Sequence, residues 1–190
     1  MRRNVFSSDE RSKSSSAGEA LDSAGFEQVF RDCAVDLHGY AFSLLRDAAA
    51  AEDVTALAFE RLYRSRARLD RTRGTPRAWL FAIARNAALD ELRRRRRQPL
   101  ETHGSGHADT AVAGGEEIAR VERGAALQTA LQALMPRERE LVLLKFHGEL
   151  TNAELARVLG ISESNAGTRL HRALLKLRDA CAQLGIEDVA

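Results

Sequence analysis

Apolar residues recur at intervals of three and four from residue 26 to residue 184, with little of the alternation that strands require. This period predicts helices over residues 24–45, 49–66 and 76–97, and helical structure again from about 118 to 184. In the second helix Val54, Leu57, Ala58, Arg61 and Leu62 lie at helical spacing, and Asp47 or a neighbour opens it. The third begins at Pro76, a residue suited to a first helical turn, and Pro99 lies just beyond its end. At about 100° per residue, Asn86, Asp90, Arg93 and Arg97 share one face of it, while Leu80, Ile83, Ala84 and Ala87 share a neighbouring one. Between the two helical regions, residues 98–117 carry glycines and small residues without an apolar period, unusually long for a structureless loop inside one domain.

The pattern therefore predicts an all-α protein: two small helical domains joined by a flexible acidic linker. The expected boundaries are a Ser- and charge-rich disordered extension over 1–24, a first domain over 25–98, a linker over 99–117, a second domain over 118–185 and a tail over 186–190.

The second domain carries a local motif. Thr151 followed by Glu154 forms a capping box that opens a short helix over 152–159. Gly160 ends it, and Ser162 is placed to cap the next helix. A helix, a tight glycine turn and a second helix make the helix-turn-helix signature. On the second of these helices Ala166, Leu170, Leu174 and Leu177 point inward, while Asn165, Thr168, Arg169, Arg172 and Lys176 point outward together. An apolar back with Asn, Thr and Arg in front suits the major groove of DNA. Two antiparallel helices with a solvated basic face is the plainer alternative.

Charge sharpens the picture through its distribution, because the net charge is only +2. The third helix ends in five consecutive arginines, Arg93 to Arg97, which need a polyanion or water. The next segment holds Glu101, Asp109, Glu116 and Glu117 and no Lys or Arg. A basic helix followed by an acidic stretch calls for a partner. Cys33 and Cys181 lie far apart, without metal-ligand spacing, and read as reduced structural thiols. His103 and His107 have no further ligands nearby, so neither a metal nor a cofactor is expected. No phosphate-binding loop, His-Glu-x-x-His or Gly-x-Ser-x-Gly motif points to an enzyme. No apolar run follows Met1-Arg2-Arg3 or is long enough to span a bilayer, so a soluble cytoplasmic protein with no membrane insertion is expected.

Three blocks together resemble the extracytoplasmic-function (ECF) sigma factors of bacterial RNA polymerase, over roughly residues 26–184. AEDVTALAFERLYR resembles the helix that such factors lay on the β′ clamp helices. PRAWLFAIARNAALDELRRRRR resembles the helix that opens and reads the promoter −10 element. LTNAELARVLGISESNAGTRLHRAL resembles the helix-turn-helix that reads the −35 element. The resemblance implies an alternative sigma factor that binds core RNA polymerase through its β and β′ subunits, binds promoter DNA, and is controlled by an anti-sigma factor. The competing reading is a helix-turn-helix regulator that binds duplex DNA without polymerase.

By this resemblance Asp53, Ala56, Leu57, Glu60 and Arg61 form the polymerase-binding surface. Ala56 and Leu57 stand where a typical member has Gln and Glu, and Leu57 is equally suited to core packing. Residues 70–75 would hold a base flipped from the duplex. The −10 contacts would then be Arg71, Arg73, Trp79, Asn86, Asp90, Arg93, Arg94 and Arg97. Trp79 reads either as a melting wedge or as a core anchor, and Asn86 as a DNA contact or as a cap on a buried carbonyl. The arginine run would contact phosphates, which supplies affinity without sequence information. The −35 contacts would be Ser164, Asn165, Thr168, Arg169, Arg172 and Lys176. The linker would thread the polymerase cleft, its carboxylates imitating nucleic acid or only spacing the domains.

Overall fold

The computed structural model describes residues 21–69, 74–97 and 115–186, with only the backbone of 115–123. Most of the N-terminal extension and of the linker, and Arg71 and Arg73, lie outside these residues; the described helices begin at Ser23 and Gly115, two or three residues inside the spans expected for extension and linker. Among the described residues there are seven α-helices and no strand: α1 (Ser23–Leu45), α2 (Ala48–Ser65), α3 (Pro76–Arg97), α4 (Gly115–Gln132), α5 (Pro136–Phe146), α6 (Asn152–Leu159) and α7 (Glu163–Gln183). A single 3-10 turn, Arg66–Arg68, follows α2.

Side chains set most of the helix ends. The Asp22 carboxylate accepts from the Gly25 amide at 2.7 Å, and the Asp47 carboxylate accepts from the Ala50 amide at 3.0 Å. Each satisfies one of the orphan donors of a first turn. The chain turns sharply between α1 and α2 because Arg46 takes a left-handed conformation (φ 56°) while its amide still donates to Phe42. Helices α1, α2 and α3 then pack around Leu37, Tyr40, Leu62, Leu80 and Phe81, all fully buried. Tyr40 meets Phe81 edge-on, with ring centroids 5.5 Å apart.

In the C-terminal half the capping box at Thr151 forms as the sequence predicts: the Glu154 amide donates to the Thr151 hydroxyl, and the Glu154 carboxylate accepts from the Thr151 amide. Gly160 ends α6 at φ 67°, and Ser162 caps α7 by accepting from the Asn165 amide. Ala166, Leu170, Ala173, Leu177 and Cys181 bury the inner face of α7 against α4, α5 and α6. The helix-turn-helix is thus a rigid corner held by Leu144, Leu150 and Leu155 beneath it.

The two halves also touch. Helices α1 and α3 pack against α5 and α6, and the buried apolar residues of both halves join one cluster.

Gly167 lies in the interior of α7, and a Cβ added there would meet only the Asn152 side-chain amide, at 3.4 Å. Gly167→Ala should therefore stabilise the protein by about 0.5–1 kcal/mol, raising Tm by roughly 1–4 °C. A thermal melt of the two proteins side by side checks this.

Candidate nucleic-acid interface

Three surfaces carry the residues that the sequence singles out. The first is the outer face of α7. Its inner residues are locked in the core, which leaves Ser164, Thr168, Arg169, Arg172 and Lys176 exposed and Asn165 half-buried beside the cap. Lys176 is committed elsewhere: its ammonium hydrogen-bonds the Glu138 carboxylate of α5 and so braces α7 on its neighbour. The bond from Lys176 also holds the Glu138 carboxyl below its ordinary pKa.

The second surface is a cleft of about 370 Å³ between α2 and α3, lined by Asp53, Leu57 and Arg61 from one side and Asp90 and Arg94 from the other. Leu57 is half-buried against the core, whereas Asp53, Ala56, Glu60 and Arg61 are exposed. Residues that the resemblance divides between two roles thus meet in one groove. Glu60 pairs with Arg64 one turn on, at 2.7 Å on an exposed face, where such pairs contribute little.

The third surface is the polar stripe of α3. Asn86 is exposed, so it does not cap a buried carbonyl. Arg93 pairs with Asp90 at 2.8 Å, both mostly exposed. Arg96 and Arg97 are exposed. Arg95 differs from the rest of the run: its guanidinium reaches the Asp47 carboxylate (3.0 Å), the Leu45 carbonyl (3.3 Å) and Glu91 (2.8 Å). It ties the end of α3 to the α1–α2 corner rather than facing outward. Its neighbour Arg94 donates to Glu91 as well. Hydrogen bonds from Arg94 and Arg95 hold the Glu91 carboxyl down at about 2.

Trp79, at the other end of the stripe, is half-buried in a cleft shared with Ala82 of α3 and Glu154, Arg157 and Val158 of α6. It is an anchor between the two halves rather than a side chain deep in either core. Gly74 beside it is half-buried, and exposed Thr75 is tied to α6. The Arg157 guanidinium approaches Gly74, and the Thr75 hydroxyl donates to the Glu154 carboxylate at 2.6 Å.

Charged residues that sequence reasoning missed complete this contact. Arg77 donates to the carbonyls of Gly148 (2.7 Å) and His147 (2.8 Å) in the α5–α6 turn and to the Asp36 carboxylate of α1 (2.6 Å). Burial opposes its charge, but Asp36 and nearby Glu149 carry its pKa above the ordinary arginine value. Arg85 of α3 faces Glu140 of α5 with Nε 2.8 Å from Oε1, and Nη2 donates to Oε2 at 3.3 Å. The Nε contact is too bent for a hydrogen bond, so the pair is held mainly by charge. The Tyr40 hydroxyl is buried nearby without a hydrogen-bond partner, and burial together with the Glu140 charge raises its pKa. Gln128 of α4 donates to the Ser43 hydroxyl and accepts from Arg46.

The sequence held signals for some of these. Arginine in a first helical turn opposes the helix dipole. Arg85 falls on the face of α3 that buries Phe81 and Ala88, and Glu140 adjoins the buried run Leu141–Leu144.

Comparison with known proteins follows the same division. Residues 29–98 match the family described as Sigma-70 region 2, and residues 124–177 match Sigma-70, region 4. The ECF RNA polymerase sigma factor SigL of Mycobacterium tuberculosis is 30% identical over 173 residues, covering 90% of this chain and 97% of its own. The RNA polymerase sigma factor CarQ of Myxococcus xanthus is 34% identical over 163 residues, covering 85% and 92%. The fold resembles the sigma factor RpoE from Bartonella quintana, solved in complex with the anti-sigma factor NepR (TM-score 0.63, 20% identity, 83% of this chain and 96% of that one). It also resembles CnrH, solved in complex with the cytosolic domain of CnrY (TM-score 0.59, 26% identity, 88% and 92%).

Glu91 supplies a pH signature. Its folded pKa lies below the ordinary 4.5, so its contribution to stability is complete above pH 4.5 and is lost as pH falls towards about 2. Glu91→Gln should remove that contribution, on the order of 2–3 kcal/mol, and flatten the acid limb between those values. Urea unfolding at a series of pH values checks it.

Proposed function

The chain belongs to the ECF sigma factors of the sigma-70 family and directs transcription initiation as an alternative sigma factor, and from that premise we propose which of its surfaces meet polymerase and which meet DNA. The cleft between α2 and α3 receives core RNA polymerase through Asp53, Ala56, Leu57, Glu60 and Arg61. With Ala56 and Leu57 in place of longer polar side chains, this surface relies more on apolar contact than on hydrogen bonds. Its partners are the β and β′ subunits.

The stripe on α3 (Trp79, Asn86, Asp90, Arg93, Arg94 and Arg97, with Arg71 and Arg73 before the helix) engages the −10 element. Exposed Asn86 both donates and accepts, as a base contact requires, whereas the arginines meet phosphates. Asp90 serves by steadying Arg93, since a carboxylate by itself repels DNA. The first domain, residues 25–98, thus holds polymerase binding and −10 recognition, and the second, 118–185, holds −35 recognition.

The outer face of α7 carries the reading furthest. Asn165, Thr168, Arg169 and Arg172 project from a helix whose back is fixed in the core and whose start is capped by Ser162. That arrangement presents donors and acceptors to a major groove at low entropic cost. Ser164 stands at the entry of the same face, and Lys176 shapes it through Glu138.

A helical segment of an anti-sigma factor is the second partner we propose. An apolar groove of about 660 Å³ between α4, α5 and α7 is lined by Leu127, Leu131, Phe146, Leu174 and Leu175, and Phe146 is 61% exposed. Exposed apolar surface of this kind marks a protein contact, and the fold relative RpoE is solved with such a partner. The chemistry of initiation belongs to the polymerase; this chain positions it. Among the described residues no helix is long and apolar enough to cross a membrane.

Transcription by purified core polymerase on genomic DNA, with 5′ ends mapped, tests the assignment. New starts preceded by two shared motifs about 16–18 base pairs apart are expected. Arg169→Ala or Arg172→Ala should cut initiation by roughly 10-fold or more and relax the upstream motif, because one base-reading arginine contributes about 1–3 kcal/mol. Tight binding to duplex DNA without polymerase, and no new starts, would instead establish an ordinary helix-turn-helix regulator.

A further inference from the structure

The DNA-facing surface of α7 has a gap at Gly167. This glycine lies in the first turns of the helix, the part of a recognition helix that meets base edges, and is the helical neighbour of Ser164. Glu163, Ser164, Asn165, Thr168 and Arg169 around it all carry polar side chains that reach the surface, whereas Gly167 carries none.

The neighbouring helix fills the gap. A Cβ on Gly167 would meet the side-chain amide nitrogen of Asn152 at 3.4 Å. A glutamine at this position would carry its own amide nitrogen about that far from its Cβ. Asn152 therefore holds an amide where a longer side chain on α7 would have held one. It does so from a fixed base: Asn152 is the exposed first residue of α6, and the capping box of Thr151 and Glu154 sets the backbone there. The arrangement also accounts for a glycine in a helix interior, where stability favours almost any other residue.

Charge decides which part of DNA this amide suits. Glu163, four residues before Gly167, is exposed on the same side of α7, and the Glu154 carboxylate accepts from the Thr151 amide beside Asn152. Two carboxylates repel a phosphate but attract the amino group of a base. An asparagine amide matches adenine in both directions, its oxygen accepting from N6 and its nitrogen donating to N7.

We propose that Asn152 reads one adenine of the −35 element through the notch at Gly167, so that the first helix of the helix-turn-helix shares in base recognition. The proposal rests on the reading of α7 as the −35 surface and adds a specificity-determining residue to it.

Initiation by core polymerase on templates randomised over the −35 element tests this, with wild type, Asn152→Ala and Asn152→Ala/Gly167→Gln. Thr151 still caps α6 in both variants, and glutamine favours a helix over glycine, so the fold is kept. Wild type is expected to prefer adenine at one position by roughly 10-fold, and Asn152→Ala to reduce that preference to about twofold or less while the other positions keep theirs. The double variant returns an amide from α7 and should restore the preference, which replacement of a merely structural residue would not do. Equal loss on every template assigns Asn152 to a phosphate and overturns the base contact. An unchanged profile overturns any contact, and a double variant that restores nothing overturns the role of the notch. If wild type starts nowhere, the sigma-factor reading falls. Duplexes selected from the same library by the chain alone then decide the contact, which stands if adenine is enriched only when Asn152 is present and falls otherwise.

Discussion

A guanidinium taken out of water must find acceptors for five N–H donors, and Arg77 can find them only by drawing on both halves of the chain. Asp36 of α1 supplies a carboxylate, and the α5–α6 turn supplies two backbone carbonyls. That turn is held in one tight backbone conformation. A Cβ on Gly148 would collide with the Leu144 carbonyl oxygen, and Glu149 takes φ 51° to re-aim the chain into α6. Because the carbonyls are fixed to the helix-turn-helix, satisfying Arg77 also sets the position of α6 over Trp79. The ion pair between Arg85 and Glu140, two turns further along α3, extends the same constraint.

Most of the local structure was legible in the sequence. The caps at Asp47, Thr151 and Ser162 and the stop at Gly160 fall where the sequence places them, because capping depends on residues three positions apart. Helix α3 runs over Pro76–Arg97 for the same reason. The inner and outer faces of α7 were legible too, since a period of 3.6 residues decides which side chains can share a core. The docking of the halves was not. It rests on pairs separated by 55 to 85 positions, such as Arg85 with Glu140 and Ser43 with Gln128, and no local pattern links such residues. The linker composition that the sequence shows between them points instead to independent domains.

The arginine run shows how a charge pattern misleads when it is read by composition alone. Five consecutive side chains on a helix point in five directions, so they cannot share one partner. Arg93, Arg96 and Arg97 reach solvent, whereas Arg95 turns back to Asp47, Leu45 and Glu91 and serves the fold. Lys176 on α7 makes the same point, being exposed yet already bound to Glu138. In both places helical phase was predictable, but one competing carboxylate, Asp47 or Glu138, lay outside the helix that carries the cation.

Glu154 does two things at once: its carboxylate closes the capping box of α6 and accepts from Thr75 across the gap between the halves. Burial would raise its pKa, but hydrogen bonds from Thr75 and Thr151 hold it lower, so it remains an anion suited to both. Inheritance of the two roles is therefore coupled. A lineage that discards Glu154 to loosen the contact also frays the helix-turn-helix, and one that discards Thr75 also uncaps α3, whose Ala78 amide donates to the Thr75 hydroxyl at 3.2 Å. Drift in the strength of the contact is thus constrained on both sides, because each residue of the pair also caps a helix in its own half.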